Sequence, residues 1–172
     1  MIFVTPELVK SRLFNLMIIP QNGEWIFVNK EIPPSELDKI LGVLYVAATN
    51  ERAQEDESLF QGNDNALSSY ALLLKKRIPM GDSAECINQF IQMFPAEDDI
   101  DEAKVAYSFL FELFWEAGNN EEISFFIDPI REKLAEGLEI ESLAEPLKAI
   151  IEEKLKEGNV PPQVSQFLSL DQ

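Results

Sequence analysis

The sequence predicts a mainly α-helical fold, a single-domain bundle of about seven or eight short helices around a central apolar helix at about residues 100–117. The first observation is the stretch 103–118, whose sixteen residues include only one Lys, one Ser and two Glu. These polar residues recur every four positions, so they form one ridge on a helix whose remaining surface is apolar. Such a helix needs neighbours on most sides. The ridge consists of Lys104, Ser108, Glu112 and Glu116.

The second observation is length and composition. The chain has 172 residues, of which 46% are hydrophobic and 26% charged, as in ordinary globular proteins. A chain of this length can bury roughly 70% of its unfolded surface in one core. We therefore expect residues 1–172 to form one domain, with a hairpin-containing N-terminal part at about 1–50 and an acidic helical part at about 95–172.

The third observation is a change of pattern near the N-terminus, which predicts one small β-hairpin at about residues 17–28. Asn22-Gly23 lies between two runs rich in β-branched and aromatic residues, and Asn-Gly is typical of two-residue hairpin turns because both residues accept positive φ. A turn of this kind opposes Ile19 to Ile26 and Met17 to Val28.

Helix signals occur on both sides of the hairpin. Thr5-Pro6-Glu7 predicts a short helix to about Asn15, and Pro33-Pro34-Ser35 predicts the start of a second helix. Residues 53–64 are polar and are predicted as a loop, after which a helix begins at Asn65. That helix ends in three cations, which suit the negative end of a helix; anion binding is the alternative. The cations are Lys75, Lys76 and Arg77, and the apolar stripe of the second helix is Leu37, Ile40, Leu41, Leu44, Tyr45 and Ala48.

Capping signals place the later helices. Asp82 and Glu85 have the spacing of a capping box, and Gly118 is suited to the left-handed residue that ends the central helix. Asn120 is predicted to cap a segment that holds Ile123, Phe125 and Phe126, and the core is predicted to be centred on the aromatic-rich residues 107–126. The remaining predictions are a break at Asp128-Pro129 in a helix that resumes to Gly137, a capping box at Ser142 and Glu145, a helix end at Gly158 and a last helix from Pro161-Pro162 that bears Val164, Phe167 and Leu168.

Acidic residues dominate the charge. The chain has 31 Asp and Glu against 14 Lys and Arg, a formal net charge of -17, and nineteen of these acids with six of the bases lie in residues 95–172. The resulting field repels nucleic acid, anionic membrane surfaces and acidic substrates, and it attracts a basic protein. The alternative is that the acids only solvate the outer faces of helices.

The chemical repertoire of the chain is narrow. It has no histidine, which excludes Ser-His and Cys-His nucleophile pairs and histidine metal ligands, and its only cysteine is Cys86, which excludes an intramolecular disulfide. Cys86 is predicted to be a small buried residue. No phosphate-binding or nucleophile-elbow motif occurs. The N-terminus lacks a signal-peptide pattern and no apolar run reaches membrane length, so we expect a cytoplasmic protein.

Carboxylates remain as candidates for chemistry. Asp98, Asp99, Asp101 and Glu102 crowd the start of the central helix, where they are candidate ligands for a hard cation such as Mg²⁺ or Ca²⁺, although the helix dipole alone explains acids at this position. Glu112 is a candidate general acid if it is buried and unpaired, because burial raises the pKa of a carboxyl. The alternative is that its ridge faces water or a neighbouring lysine.

The sequence favours a non-enzymatic function, an acidic protein-interaction module that binds a basic protein, as inhibitors, antitoxins, immunity proteins, chaperones and DNA mimics of bacteria and their viruses do. We expect no cofactor, no direct nucleic-acid ligand and no membrane ligand, and homo-oligomer formation stays open. The alternatives are a carboxylate-metal-dependent hydrolase and a helical subunit of a larger complex. The candidate partner-binding residues are Glu112, Glu116, Glu121, Glu122, Glu132, Glu136, Glu152, Glu153 and Glu157.

Overall fold

The computed structural model describes residues 17–18, 26–27, 33–49 and 57–170, and within them the protein is mainly α-helical, as predicted. Two short strands, β1 (Met17–Ile18) and β2 (Ile26–Phe27), precede the helices, and a 3-10 turn at Ile78–Met80 follows the second helix. The helices of the described residues are α1 (Pro34–Ala48), α2 (Glu57–Arg77), α3 (Ala84–Gln92), α4 (Ile100–Glu116), α5 (Glu121–Ser124), α6 (Ile127–Glu139), α7 (Glu141–Leu155) and α8 (Pro162–Leu170).

The central apolar helix is α4, and its bounds agree with the prediction to within a residue. It contacts α2, α6, α7 and α8, so its apolar surface is covered by other parts of the same chain. No second chain is needed to bury it, which was the premise of the larger-complex alternative. The buried residues of α4 are Ala103, Ala106, Tyr107, Phe109, Leu110, Phe111, Leu113 and Phe114.

Buried side chains of all eight described helices belong to one hydrophobic cluster, which runs from Leu37 in α1 to Phe167 in α8. Aromatic rings form contacts between helices within it. The ring centroids of Phe90 and Phe109 are 5.5 Å apart, and those of Phe114 and Phe167 are 5.7 Å apart. Edge-to-face and tilted arrangements of this kind are favourable for aromatic pairs.

Helix α1 confirms the predicted apolar stripe. Pro33 precedes the helix and Pro34 occupies its first turn, where a missing backbone N–H has no consequence. The buried residues are Leu37, Leu41 and Leu44, and Ile40, Tyr45 and Ala48 pack partly buried against the same cluster.

The predicted loop at residues 53–64 is wrong for residues 57–64, because α2 begins at Glu57 and not at Asn65. Gly62, Asn63 and Asp64 are weak helix formers, and in sequence they indicate a turn. A contact with a distant segment overrides this preference: the Asp64 carboxylate accepts backbone N–H bonds from Asp98 at 2.8 Å and from Asp99 at 2.7 Å. Residues 53–56 lie outside the described residues.

Both predicted capping boxes are wrong. The residue before α3 is Ser83, and Asp82 has a φ of 50°, outside the conformation of an N-cap. Ser142 lies inside α7, which follows Ile140, and neither helix start has a side-chain capping bond. The carbonyl oxygen of Asp82 instead accepts a hydrogen bond from Arg77 Nη2 at 3.3 Å, a contact that sequence spacing does not reveal.

Two other caps are formed by side chains. Asn120 caps α5 as predicted, accepting the N–H of Glu122 at 3.0 Å. At the start of α4, Asp99 Oδ1 accepts the N–H groups of Asp101 at 3.1 Å and Glu102 at 3.3 Å. These bonds satisfy backbone donors that have no partner within the helix.

Gly118 does not have the predicted left-handed conformation; the described glycines with positive φ are Gly81 and Gly158. A methyl group at Gly118 would lie 2.6 Å from Oε1 of Gln163 in α8. The Nε2 group of Gln163 donates to the carbonyl oxygens of Phe114 at 3.0 Å and Trp115 at 3.2 Å. A side chain from another helix therefore caps the end of α4.

The predicted break at Asp128-Pro129 lies a few residues earlier, at residues 125–126 between α5 and α6. Pro129 belongs to the first turn of α6, which tolerates proline. The helix continues past Gly137 to Glu139, and α7 ends at Leu155, three residues before Gly158. Helix α8 confirms the predicted last helix, with Val164 and Phe167 buried and Leu168 partly buried.

The described part of the hairpin is one antiparallel pairing, Met17 with Phe27 and Ile18 with Ile26. This register differs by one residue from the predicted opposition of Met17 to Val28. The predicted turn, with Ile19 and Val28, and the predicted helix up to Asn15 lie outside the described residues. The hairpin as a whole therefore stays a prediction.

Among the helices of the described residues, none combines the length and the apolar character that crossing a membrane requires.

Replacement of Gly137 by alanine is expected to destabilise the fold by about 1–2 kcal/mol, although alanine is the better helix former. A methyl group there would lie 2.5 Å from Cε1 of Tyr107, a fully buried ring of α4. The matched control is Gly42→Ala in α1, where no described atom beyond the adjacent residues and the helix's own backbone lies within 4 Å of the added methyl group, and we expect it to stabilise by up to about 1 kcal/mol. Urea unfolding of both variants tests this; equal effects would contradict the packing argument.

Candidate protein-interaction surface

The outer surface of α6 and α7 is lined by carboxylates. A single residue, Ile140, joins the two helices, which pack against each other and against α4. Their buried stripes are Ile130, Leu134 and Gly137 in α6 and Leu143, Leu147 and Ile151 in α7. At 3.6 residues per turn, six exposed acids lie on the sides opposite these stripes. We name them the acidic face: Asp128, Glu132, Glu139, Glu141, Glu145 and Glu152.

Cations of this segment are almost all neutralised locally. Arg131 pairs with Asp128 at 2.8 Å, and Lys148 pairs with Glu145 at 2.9 Å, each across one helical turn. Two further pairs have the same spacing. They are Lys133 with Glu136 at 2.8 Å and Lys154 with Glu157 at 2.7 Å.

The excess charge of residues 121–157 is therefore negative, and the acids that carry it have no ion pair within the described part of the chain. Residues 121–157 contain eleven acids and five bases, and four of each are consumed by these local pairs. Lys156 is the fifth base. The seven acids that form no ion pair with another described residue are Glu121, Glu122, Glu132, Glu139, Glu141, Glu152 and Glu153.

An exposed aromatic side chain lies beside this surplus. Phe125 is 85% exposed in the turn between α5 and α6, whereas Ile123, two residues earlier, is fully buried. Phe125 therefore lies outside the core that the sequence centres on residues 107–126, whereas its neighbours Ser124 and Phe126 are partly buried. Glu121, Glu122 and Asp128 all lie within four residues of it in sequence. Aromatic side chains are enriched in protein-interaction surfaces relative to the rest of the protein surface.

Of the nine candidate partner-binding residues, three form ion pairs: Glu112 with Lys75, Glu136 with Lys133 and Glu157 with Lys154. The other six are exposed and have no ion pair with a described residue; they are Glu116, Glu121, Glu122, Glu132, Glu152 and Glu153. The structure adds Glu139 and Glu141, which the sequence interpretation left in a connection because it ended the helix at Gly137. The four local ion pairs themselves follow from i, i+3 spacing and were readable in the sequence.

Glu112 has the neighbouring lysine that one interpretation of the sequence required. Its Oε2 lies 2.5 Å from Nζ of Lys75 in α2, and its side chain is 37% exposed. A paired and partly hydrated carboxylate lacks the isolation that makes a general acid. The ridge of α4 therefore contributes an ion pair between helices.

Three of the four acids at the start of α4 use their carboxylates in structural contacts, and the fourth, Asp98, uses its backbone N–H. Asp99 caps the helix, Asp101 pairs with Lys104 at 3.1 Å, and Glu102 accepts a hydrogen bond from Ser68. The backbone N–H of Asp98 donates to Asp64. Within the described ranges, no group of three or more His, Cys, Asp or Glu side chains is arranged to hold a metal ion.

Cys86 is only partly buried, so its predicted full burial is wrong, and two cations of the basic cluster form contacts within the chain. Burial, followed by the negative charge of Asp38, raises the pKa of the Cys86 thiol, so the nucleophilic thiolate is disfavoured. Arg77 is buried and donates to Asp38 and to the carbonyl oxygens of Gly81 and Asp82. Lys75 pairs with Glu112, so both cations serve contacts within the chain.

No protein-family model, no curated protein and no solved structure matches this chain.

Proposed function

We propose that this protein is a non-enzymatic acidic interaction module that binds a basic protein through the acidic face and Phe125. The single observation that carries the proposal is the charge balance of residues 121–157, where local ion pairs consume four of five cations and leave seven carboxylates without an ion pair to another described residue. Exposed like charges repel each other, and this repulsion is relieved when a basic surface is bound.

Phe125 supplies the apolar contact that charge alone does not. Fully burying an aromatic side chain of this size contributes about 1.5–3 kcal/mol. Phe125 is 85% exposed, so nearly all of that contribution is available to a partner. Rim carboxylates mainly increase the association rate, and a buried aromatic anchor mainly slows dissociation. The partner therefore presents an apolar pocket flanked by lysine or arginine.

The charge density favours a basic protein surface over a nucleic-acid-binding groove as the partner. Carboxylates four residues apart on a helix are separated by about 6 Å along its axis. Duplex DNA carries one negative charge per about 1.7 Å. Since local pairs also neutralise Asp128 and Glu145, the acidic face falls well below the density that a DNA mimic needs.

The test is a comparison of two charge-neutralised variants in salt-graded binding. The first removes three acids of the acidic face, Glu132→Gln, Glu141→Gln and Glu152→Gln. The second removes three exposed acids elsewhere, Glu36→Gln, Asp82→Asn and Glu85→Gln, and so has the same net charge. We expect the first to bind its basic partner about ten-fold more weakly and the second to bind nearly as the wild type does.

Capture of basic proteins from the source lysate, at about 50 mM and about 300 mM salt, identifies the partner, and titration then gives the affinities. Phe125→Ser is expected to increase the dissociation rate while leaving the salt dependence unchanged. Equal losses in the two charge variants, or binding that does not change with salt, would contradict the assignment to the acidic face.

A further inference from the structure

Exposed residues of α6 and of the turn before it follow one another in alternating steps of three and four. Residues with this spacing lie in one line along a helix. The buried residues of α6, which include Ile130 and Leu134, lie on its opposite side. We name the exposed line the α6 stripe: Phe125, Asp128, Glu132, Ala135 and Glu139.

The stripe continues across the turn between α5 and α6. Phe125 precedes the first residue of α6, but its φ of -68° and ψ of -16° lie in the right-handed helical region. Ile123 and Ile130 are seven residues apart and both are fully buried, so this separation preserves orientation across the turn. Phe125 and Glu132 have the same separation, and both are exposed.

The length and spacing of the stripe are those of a contact line between two helices. Phe125 and Glu139 are fourteen residues apart in sequence. At about 1.5 Å per residue this is a length of about 21 Å, close to four helical turns. Steps of three and four residues give the spacing with which one helix packs along another. A second helix that lies along α6 can therefore contact every member of the stripe.

The side chains of the stripe determine which helix fits it. Phe125, at one end, is 85% exposed. Glu132 and Glu139 form no ion pair within the described part of the chain. Ala135 lies between these two acids, and because it is exposed and small, it allows a neighbouring helix to approach closely. The fitting helix therefore has an apolar residue near one end and cations along the rest of its contact line.

The spacing of the two carboxylates favours a helix over a strand. Glu132 and Glu139 are seven residues apart, which is about 10.5 Å along the helix axis. Cations seven residues apart on a partner helix have the same separation. Residues on one side of a strand recur every ~6.8 Å, so a pair of them misses this separation by about 3–4 Å.

We propose that the basic partner binds by laying a helix along the α6 stripe, with an apolar residue against Phe125 and with lysine or arginine against Glu132 and Glu139. This helix forms one wall of the apolar pocket that receives Phe125. Binding of a helix along a complementary surface is a recurring mode of protein recognition. The inference rests on the proposed function, since it specifies which part of the basic partner meets the acidic face.

The test uses two synthetic peptides of about 22 residues with identical composition and charge. The first has a leucine near one end and lysines three, seven, ten and fourteen residues after it, the spacing of the stripe itself. The second has the same residues rearranged so that the lysines are spread around a helix. We expect the full chain to bind the first peptide about ten-fold more tightly at low salt, because only its cations form one line. Fluorescence anisotropy gives the affinities, and circular dichroism is expected to show a gain of helix on binding.

Equal affinity for the two peptides would overturn the helical partner and leave the acidic face in place, because it would show attraction by charge alone. Tight binding of the first peptide without a gain of helix would also contradict the proposal. Capture of a basic partner from lysate tests the proposed function separately. Capture of such a partner together with binding of neither peptide would overturn only the helical partner.

Two alanine substitutions locate the bound peptide on α6. Ala135→Arg places a cation in the middle of the stripe and is expected to weaken binding of the first peptide by about ten-fold or more. Ala149→Arg makes the same change at an exposed alanine of α7, outside the stripe, and is expected to weaken binding only about two-fold through the change in net charge. Both positions are exposed in helices, where arginine is well tolerated. Equal weakening by the two variants would overturn the assignment to the stripe.

Discussion

Replacement of Arg77 by methionine is expected to destabilise the protein by about 2–4 kcal/mol, the largest effect that we expect for a charged residue in the described part of the chain. Arg77 is 6% exposed, and its guanidinium has four described hydrogen bonds. Nε and Nη2 reach the two carboxylate oxygens of Asp38 in α1, at 2.7 Å and 3.5 Å, and Nη1 and Nη2 reach the carbonyl oxygens of Gly81 and Asp82. One side chain therefore joins α1, the end of α2 and the turn before α3.

The expected loss of stability is smaller than for a fully buried ion pair, because the Asp38 side chain is 44% exposed and becomes hydrated when its partner is lost. Arg77→Lys retains the charge but not the fork of donors, so we expect about half of the methionine effect. The matched control is Lys75→Met, two residues away, which breaks the ion pair with Glu112 at the surface and is expected to cost less than about 1 kcal/mol.

Urea unfolding of the three variants gives the free energies, and a double-mutant cycle with Asp38→Asn gives the coupling between the two side chains. Coupling near zero would show that the two backbone carbonyl contacts of Arg77 carry its contribution. Equal destabilisation by Lys75→Met and Arg77→Met would contradict the structural distinction between them.

The contrast between Lys75 and Arg77 shows what the sequence predicts and what it leaves open. Three successive cations at a helix end indicate favourable interaction with the helix dipole, but the pattern does not show which of them is buried. The acceptors of Arg77 include Asp38, which is 39 residues away in sequence. Burial of a single charged residue depends on such distant partners, so periodicity carries no signal for it.

Elements with strong, long apolar patterns were predicted well, because their burial follows from periodicity and not from one distant partner. The periodicity of α1 and the nearly complete apolar surface of α4 admit few alternatives. The errors lie where a distant contact decides the local structure. Asp64 keeps residues 62–64 helical through the backbone of residues 98–99, and Gln163 replaces the expected left-handed cap at Gly118.

The sequence predicted that the candidate interaction surface is rich in acids, but it did not predict that Phe125 is exposed beside them. The sequence shows that residues 95–172 carry most of the negative charge, and i, i+3 spacing indicates which acids are neutralised. Exposure of Phe125 was not predictable, because it depends on the short turn between α5 and α6.

Asp64→Ala is expected to destabilise the protein by about 2–3 kcal/mol, because it leaves the N–H groups of Asp98 and Asp99 without their described acceptor. Asp64→Asn keeps an oxygen acceptor of the same shape and removes the charge, so we expect its stability at neutral pH to lie within about 1 kcal/mol of the wild type. The two variants separate the hydrogen-bonding role of Asp64 from the cost of burying its charge.

The pH dependence of the difference between wild type and Asp64→Asn has a definite sign. Burial raises the folded-state pKa of Asp64 above its ordinary value of 3.8, so between 3.8 and the raised value the folded protein binds more protons than the unfolded chain. Stability falls with rising pH wherever the folded state binds more protons. The wild type is therefore expected to lose stability relative to Asp64→Asn as pH rises through that window, and the difference becomes constant above it.

Urea unfolding of both proteins at a series of pH values from about 3.5 to 7 measures this difference, and every carboxyl other than Asp64 cancels in the subtraction to first order. A wild type that gains stability relative to Asp64→Asn over this range would mean that the two N–H bonds outweigh desolvation and lower the pKa. The geometry argues for the opposite order, because Asp64 as a residue is 4% exposed and its carboxylate accepts described hydrogen bonds on only one of its two oxygens.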